Sequence, residues 1–250
     1  MSKIVVANWK MNPPSVKEVE NLLKNIKKFS KNLKNLKITI CPPFAFLFLF
    51  KKLGKSPIAL GAQNVSSEDM GPYTGEISPK MLFNMGVRQV IVGHSECRAR
   101  GETNELINKK ILNLLKHKIR PIICVGESKR DNEGFYLSFI SEQIKECLKG
   151  IPRAQLKNII IAYEPIWAIG KGAKREATKE EFIEIKIFIK KVFSDLYGVK
   201  FAHLIPIIYG GSVHEDNANS FIKEASADGL LIGRDSLIPK KFEAILKSIR

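Results

Sequence analysis

The sequence predicts an α/β chain that folds as a single (β/α)8 barrel domain over residues 1–250. Eight short apolar runs recur at intervals of roughly 30 residues, the length of a strand with its crossover helix. Most runs are almost continuously apolar, as expected of strands covered on both faces. Amphipathic helical patterns lie between several of them. An open doubly wound sheet is the alternative, but the segment ANWKMN after the first run has no glycine of a dinucleotide-binding turn.

The boundaries of the repeating units follow from local signals. Ser15 with Glu18, and Thr178 with Glu181, have the spacing of capping boxes. Segment 44–53 is too uniformly apolar to show a helical face. The candidate strands are residues 4–8, 38–41, 58–64, 90–94, 121–127, 159–164, 204–211 and 229–233. The clearest apolar helix faces are Val19, Leu22, Leu23, Ile26 and Phe29, and Phe182, Ile185, Ile189, Val192 and Phe193.

Composition narrows the class of protein. Hydrophobic residues make up 44% and charged residues 26% of the chain, which is ordinary for a folded globular protein. No apolar run approaches the roughly 18 residues of a membrane span, and no signal peptide is recognisable, so a cytoplasmic protein without membrane contact is expected. The four cysteines form no C-x-x-C pair, so neither a disulfide framework nor a zinc site is predicted.

The formal net charge of +16 permits nucleic acid or another anion as a partner. The lysines are scattered over the polar faces of amphipathic segments, without interleaved aromatic residues on which bases could stack. Solvated helix faces are therefore the expected role of these lysines, and no nucleic-acid partner is expected. A basic barrel that binds nucleic acid and has lost catalysis is the competing interpretation.

Polar residues end nearly every apolar run, where the catalytic groups of a barrel cluster. Glu164 ends the sixth run, and Pro165, Trp167 and Ile169 are expected to fix and shield it, which would raise its pKa and make it a stronger base. Glu127 is expected to be a solvated loop residue or a helix cap. The other polar residues at these ends are Asn8, Lys10, Gln63, Asn64, His94, Glu96 and Ser212.

These residue types suit proton abstraction next to a carbonyl. His94, Lys10 and Asn8 would supply donors for an oxyanion on the carbonyl oxygen. The segments YGGSV and IGR, after the seventh and eighth runs, offer backbone N–H groups to a phosphate. The four histidines have no metal-ligand spacing, so no metal is predicted, and this chemistry requires no cofactor.

The motifs NWKMN, GHSEC, AYEPIWAIGKG and YGGSV, together with GAQN and TGEIS, occur in an order that resembles the triosephosphate isomerase family along essentially the whole chain. The resemblance implies a TIM barrel and a glycolytic and gluconeogenic enzyme of the aldose–ketose isomerase class. It would interconvert dihydroxyacetone phosphate and D-glyceraldehyde 3-phosphate through an enediolate, without a cofactor. Another phosphosugar isomerase or lyase barrel is the alternative, but it would need a different acid–base set, such as a Schiff-base lysine.

The same resemblance assigns roles to individual residues. Glu164 would be the base, His94 the electrophile and Lys10 its cationic partner, with Asn8 and Glu96 in support. Thr74, in the loop of residues 65–76, would approach the partner of a homodimer near Asn8 and Lys10. The phosphate-binding residues would be Asn8, Lys10, Gly170, Ser212, Gly233 and Arg234. The lid would be Pro165, Ile166, Trp167, Ala168, Ile169, Gly170, Lys171 and Gly172.

Several departures from the family pattern concern the site. Lys171 stands where threonine is usual, and residues 173–175 replace the usual second hinge, so altered lid kinetics are expected. Cys97 replaces an arginine, and residues 98–102 are one residue short, so the polar groups around Glu96 are expected to be rearranged. Arg234 replaces the second glycine of a phosphate loop.

Overall fold

A computed structural model of the chain contains a closed barrel of eight parallel strands that follow one another in chain order. The predicted (β/α)8 fold is therefore confirmed. The structure describes residues 2–31, 33, 35–53, 56–170 and 172–250. The strands are β1 Lys3–Asn8, β2 Leu36–Cys41, β3 Ile58–Ala62, β4 Gln89–Val92, β5 Arg120–Val125, β6 Ile160–Tyr163, β7 Ile207–Tyr209 and β8 Gly229–Ile232.

Helices connect the strands on the outside of the barrel. The α-helices of the described residues are α1 Val16–Ser30, α2 Pro79–Asn84, α3 Ser95–Arg98, α4 Asn104–Lys116, α5 Phe135–Cys147, α6 Lys179–Tyr197, α7 Val199–Leu204, α8 Ala218–Lys223 and α9 Pro239–Ser248. The 3₁₀ segments of the same residues are Phe44–Leu53, Arg153–Asn158, Ile166–Ala168 and Arg234–Leu237. No helix in the described part of the chain is long and apolar enough to span a membrane.

The predicted helix starts are largely confirmed. Thr178 and Glu181 form a complete capping box, in which each side chain accepts the other residue's backbone N–H. Ser15 accepts the N–H of Glu18 at the start of α1, but the two side chains bond to each other instead of completing the box. The apolar face predicted for α6 is the buried face, whereas on α1 Phe29 is only partly buried.

Some predicted strand limits were wrong. Leu204 ends α7, and β7 begins only at Ile207, because a short apolar run does not by itself distinguish a strand from a buried helical turn. The predicted strands at 90–94, 121–127 and 159–164 extend past the observed ends of β4, β5 and β6. Their last residues turn into loops, which places His94, Glu127 and Glu164 just beyond the sheet.

The buried apolar residues form two clusters, one large and one small. The large cluster contains side chains of the strands and of the helices around them. The smaller cluster is made entirely of strand residues whose neighbours along the chain belong to the large cluster, so it fills the inside of the barrel. Its members are Ile4, Val6, Cys41, Ile91, Ile122, Cys124, Ile160, Ala162, Ile208 and Leu231. Burial on both faces explains why the strands are continuously apolar.

Candidate active site

Glu164 and His94 meet at the carboxyl end of the barrel. His94 Nε2 lies 3.1 Å from Glu164 Oε1, and the backbone N–H of Ser95 donates to Glu164 Oε2 at 2.9 Å. Only 2% of Glu164 is exposed. A Cβ on Gly126 would lie 1.8 Å from the carbonyl oxygen of Glu164, so only glycine lets the two loops approach this closely. The end of β5 therefore supports the backbone that carries the carboxylate.

The hydrogen bonds of His94 determine its tautomer. The backbone N–H of Glu96 donates to His94 Nδ1 at 3.2 Å, and His94 caps the short helix α3. A nitrogen that accepts a hydrogen bond carries no proton, so the imidazole is neutral and its proton lies on Nε2. That N–H faces Glu164 and the cavity, where it can donate to a substrate oxygen.

Lys10 lies on the other side of the same site. Its Nζ donates to Glu96 Oε1 at 2.6 Å, and its backbone N–H donates to the side chain of Asn8 at 3.0 Å. Lys10 has a positive φ of 52°, and Gln63 Nε2 donates to its carbonyl oxygen at 2.8 Å. Backbone strain of this kind is found where a side chain must be aimed. Asn8, Lys10 and Glu96 thus come together as predicted.

Glu96 remains a charged partner of Lys10. Partial burial raises the pKa of Glu96, but the hydrogen bond and positive charge of Lys10 lower it more, so this pKa lies below its ordinary value. At neutral pH the pair is an ammonium–carboxylate contact that fixes the Lys10 side chain.

A cavity of about 460 Å³ opens above Glu164 and His94. One end of the cavity is rich in loop backbone from the segments after β7 and β8. The residues predicted to bind phosphate all line the cavity, namely Asn8, Lys10, Gly170, Ser212, Gly233 and Arg234. Arg234 begins a 3₁₀ turn and is exposed, and its side chain has no hydrogen bond or ion pair with any described residue. Its cation is free to meet an anion in the cavity.

Glu127 is buried and accepts several hydrogen bonds, so the prediction that it is a solvated residue was wrong. Only 1% of it is exposed. Its Oε1 accepts hydrogen bonds from the Tyr163 hydroxyl at 2.8 Å, from Trp167 Nε1 at 2.8 Å and from Arg130 Nε at 3.2 Å. Burial raises the pKa of Tyr163, and the Glu127 charge raises it further, so Tyr163 stays a donor. Through these hydrogen bonds Glu127 connects the ends of β5 and β6. No spacing in the sequence indicates this connection.

The predicted lid begins directly after Glu164. Ile166–Ala168 form a 3₁₀ turn, and the carbonyl oxygen of Ala168 accepts a hydrogen bond from Ser212 Oγ at 3.0 Å. Ile169 lines the cavity near Glu164, as predicted. The indole of Trp167 instead binds Glu127, so its expected role as a shield of Glu164 is corrected. Lys171 lies outside the described residues.

The segment around Cys97, where the resemblance led us to expect a rearrangement, is fixed by contacts of neighbouring residues. Arg98 donates to the carbonyl oxygens of Gly93 at 2.8 Å and of Cys124 at 3.2 Å. Glu102 accepts the backbone N–H of Gly93 at 3.1 Å and forms a buried ion pair with Lys110. These contacts clamp the residue that precedes His94. Arg98, Glu102 and Lys110 therefore support the site, and the sequence analysis did not identify them.

The loop of residues 65–76 projects from the barrel. Its base is fixed to α4, where Asn113 Nδ2 donates to the carbonyl oxygen of Ser67 at 2.9 Å. Its tip, residues 70–76, is exposed and includes Thr74. Among the described residues, Thr74 forms no hydrogen bond with Asn8 or Lys10.

The arrangement suits acid–base chemistry on a small anionic substrate. A buried carboxylate faces a neutral imidazole N–H, with an ammonium beside them and a cationic, glycine-rich end to the cavity. Within the described ranges, no cluster of three or more histidine, cysteine, aspartate or glutamate side chains could hold a metal ion.

Comparisons with known proteins agree with this geometry. The family model for triosephosphate isomerase matches residues 3–249. A triosephosphate isomerase of Aquifex aeolicus is 44% identical over 251 residues, which cover 99% of this chain and 100% of the relative. Those of Dictyoglomus thermophilum and Dictyoglomus turgidum are 43% and 41% identical, each over 98% of this chain and 99% of the relative. The chain belongs to the triosephosphate isomerase family.

Proposed function

We propose that this chain is a triosephosphate isomerase that interconverts dihydroxyacetone phosphate and D-glyceraldehyde 3-phosphate through an enediolate, with no cofactor. The observation that carries the proposal is the 3.1 Å contact between Glu164 Oε1 and His94 Nε2 inside the cavity. A base and a neutral donor this close can act on adjacent atoms of a three-carbon substrate. The names of the relatives supply the substrate.

Glu164 is the proposed base. Its carboxylate removes a proton from the carbon next to the carbonyl, and the electron pair moves onto the carbonyl oxygen to give the enediolate. The N–H of His94 and the ammonium of Lys10 stabilise that oxygen, while Asn8 and Glu96 fix the Lys10 backbone and side chain. Glu164 then returns the proton to the neighbouring carbon, while the hydroxyl oxygen on the first carbon gives its proton to the former carbonyl oxygen and becomes the new carbonyl. Each preorganised donor is worth about 3 to 4 kcal/mol in the transition state.

The phosphate end of the cavity holds the dianion. Ser212, Gly170, Gly233 and Arg234 are the proposed ligands, with Lys10 bridging this end and the reacting carbons. Residues 165–172 are the proposed lid, which excludes water and keeps phosphate from leaving the enediolate.

The proposed protein is one domain over residues 1–250 that works as a homodimer in the cytoplasm, in glycolysis and gluconeogenesis. Several apolar side chains in the loops and helix after β1 and β3 are exposed, which supports a partner surface at this end of the barrel. These side chains are Met11, Met70, Tyr73 and Met81. Thr74 lies beside Tyr73 at the exposed loop tip and is the proposed contact to the partner's site.

Replacement of the base tests the function. We expect Glu164→Gln to lower kcat by about 10² to 10⁴, the usual worth of a general base. The midpoint of urea unfolding should stay near that of wild type. Glu133→Gln is the matched control, because Glu133 is exposed and its side chain makes no hydrogen bond or ion pair with the described residues. Isomerisation is measured with purified protein and both triose phosphates.

Isotope incorporation tests the mechanism independently. In D₂O the wild-type product should carry carbon-bound deuterium, because a proton held by Glu164 exchanges with solvent. Product without deuterium would favour direct hydride transfer and overturn the enediolate route. A folded wild-type protein that does not isomerise either triose phosphate would overturn the proposed function itself.

A further inference from the structure

One arginine connects the start of the lid to the helix that follows it. Arg175 lies three positions beyond the lid, and its guanidinium donates to both oxygens of Glu181, from Nη1 at 2.9 Å and from Nη2 at 2.6 Å. The same guanidinium carbon lies 4.6 Å from the centroid of the Trp167 ring. A planar guanidinium can hold a carboxylate in its fork and an aromatic ring on its face at the same time.

Both partners of Arg175 are fixed by other contacts. Glu181 belongs to the capping box of α6, and its Oε2 also accepts the backbone N–H of Thr178 at 2.8 Å. Trp167 is held through its indole N–H by the buried Glu127. Arg175 therefore bridges two fixed points, one at each end of the lid.

Arg130 lies near the same two groups but has other partners. Its guanidinium carbon is 5.7 Å from the Trp167 ring, and Nη1 is 3.7 Å from Glu181 Oε1. Shorter contacts connect Arg130 to Glu127 and Glu184. Arg175 belongs to the segment directly after the lid, and its side chain is 56% exposed. It is therefore the arginine that connects this segment to Trp167.

We propose that Arg175 is a positioning residue that joins the two ends of the lid. When Trp167 and Arg175 are held together, residues 168–174 sample fewer arrangements, because the entropy of closing that loop is already lost. The proposal rests on the proposed function, since the lid acts by covering the enediolate. Without the guanidinium, the lid should cover this intermediate less completely.

An uncovered enediolate has a side reaction that can be measured. Its electron pair forms a new carbon–carbon double bond while the C–O bond to phosphate breaks, and phosphate leaves with the electrons of that bond. The remaining enol takes a proton onto its terminal carbon from water, releases its hydroxyl proton to water and becomes a 2-oxoaldehyde. The ratio of inorganic phosphate to isomerised product therefore reports how well the lid covers the site.

The contact can be followed without substrate. The chain has two tryptophans, Trp9 and Trp167. Labelling of the full chain with 5-fluorotryptophan should give two ¹⁹F resonances, of which only that of Trp167 lies beside Arg175. Arg175→Met should shift or broaden the Trp167 resonance and leave that of Trp9 in place. Arg175→Lys keeps the charge but loses the planar fork, so its effect should be intermediate.

Lys200→Met is the control. It removes the same charge from an exposed residue of α7, outside the lid and its hinge, whose side chain makes no hydrogen bond or ion pair with the described part of the chain. We expect Arg175→Met to raise the ratio of phosphate to product at least threefold and Lys200→Met to leave it unchanged. A ratio in Arg175→Met equal to that of wild type would overturn the positioning role. Absence of isomerisation in wild type would instead reject the proposed function, and the resonances would still test the contact.

Discussion

Arg234 places a cationic side chain at the cavity, at a position where the resemblance led us to expect a glycine. Its backbone N–H can still donate to an anion, as that of a glycine would. Its side chain adds a cation at the cavity and has no partner among the described residues. An unpaired guanidinium at the phosphate end should strengthen the binding of a dianion through charge-assisted hydrogen bonds.

Truncation of this side chain should affect binding more than chemistry. We expect Arg234→Ala to raise KM for either triose phosphate about tenfold, which corresponds to about 1.4 kcal/mol, with kcat within about twofold of wild type. Lys240→Ala is the control, because Lys240 is an exposed cation on α9 outside the cavity. Steady-state kinetics measure both variants. Equal KM values in the two variants would show that Arg234 does not contact the phosphate.

The sequence predicted that Glu164, His94 and Lys10 lie at one end of the barrel, but not which residues hold them there. Glu164, His94 and Lys10 follow strands, and the rule that barrel strands end at one edge is sufficient to bring them together. The burial of Glu127 depends on two donors from other segments, Tyr163 and Trp167, and on the register of β5 against β6. The contact of Arg175 with Trp167 likewise depends on how a loop folds back. Such contacts are tertiary and leave no periodic signal in the chain.

At the scale of elements, the seam between β1 and β8 closes the barrel. Gly229 pairs with Ile4, and a Cβ at Gly229 would lie 1.9 Å from the carbonyl oxygen of Ile4. The obstacle is main chain within a paired strand, so it cannot move aside as a flexible side chain would. Glycine at this position is a requirement of closure.

A methyl group at the seam should therefore be very costly. We expect Gly229→Ala to lower the free energy of unfolding by more than about 4 kcal/mol, in the range of severe core disruption. Gly150→Ala is the comparison, because Gly150 has a φ of 75° and nothing within 4 Å of its added Cβ, so its cost is only about 1 to 2 kcal/mol of backbone strain. Urea unfolding followed by circular dichroism measures both. Similar losses in the two variants would contradict the seam argument.

The elements were predicted best where periodicity was strong. The faces of α1 and α6 and all eight strand positions followed from apolar spacing. Segment 44–53 had no apolar face that could be distinguished from a polar one, and it forms a 3₁₀ segment instead of an α-helix. Leu204 shows the opposite failure, because its apolar neighbours continued into a strand while the residue itself belongs to a helix.

For the whole molecule, the proposed homodimer predicts a difference between two exposed aromatic side chains. Tyr73 is 46% exposed on the loop of residues 65–76, and Phe135 is 71% exposed on α5. If the loop enters a partner subunit, Tyr73→Glu should shift the sedimenting species from two chains to one. Phe135→Glu should leave it at two, although it places the same charge on a more exposed position. A single-chain wild type, or two chains in Tyr73→Glu, would contradict this assembly.

The packing inside the barrel has a consequence for how the molecule comes apart. The small interior cluster takes its side chains from β1, β2 and β4–β8. No group of neighbouring strands can bury this layer alone, because each contributes only one or two of its members. In a partly opened barrel, water would reach this layer from the open side, and the barrel would lose most of the stabilisation that the layer provides. The strands therefore depend on one another. An opening large enough to separate Glu164 from His94 would also unfold the structure beneath them.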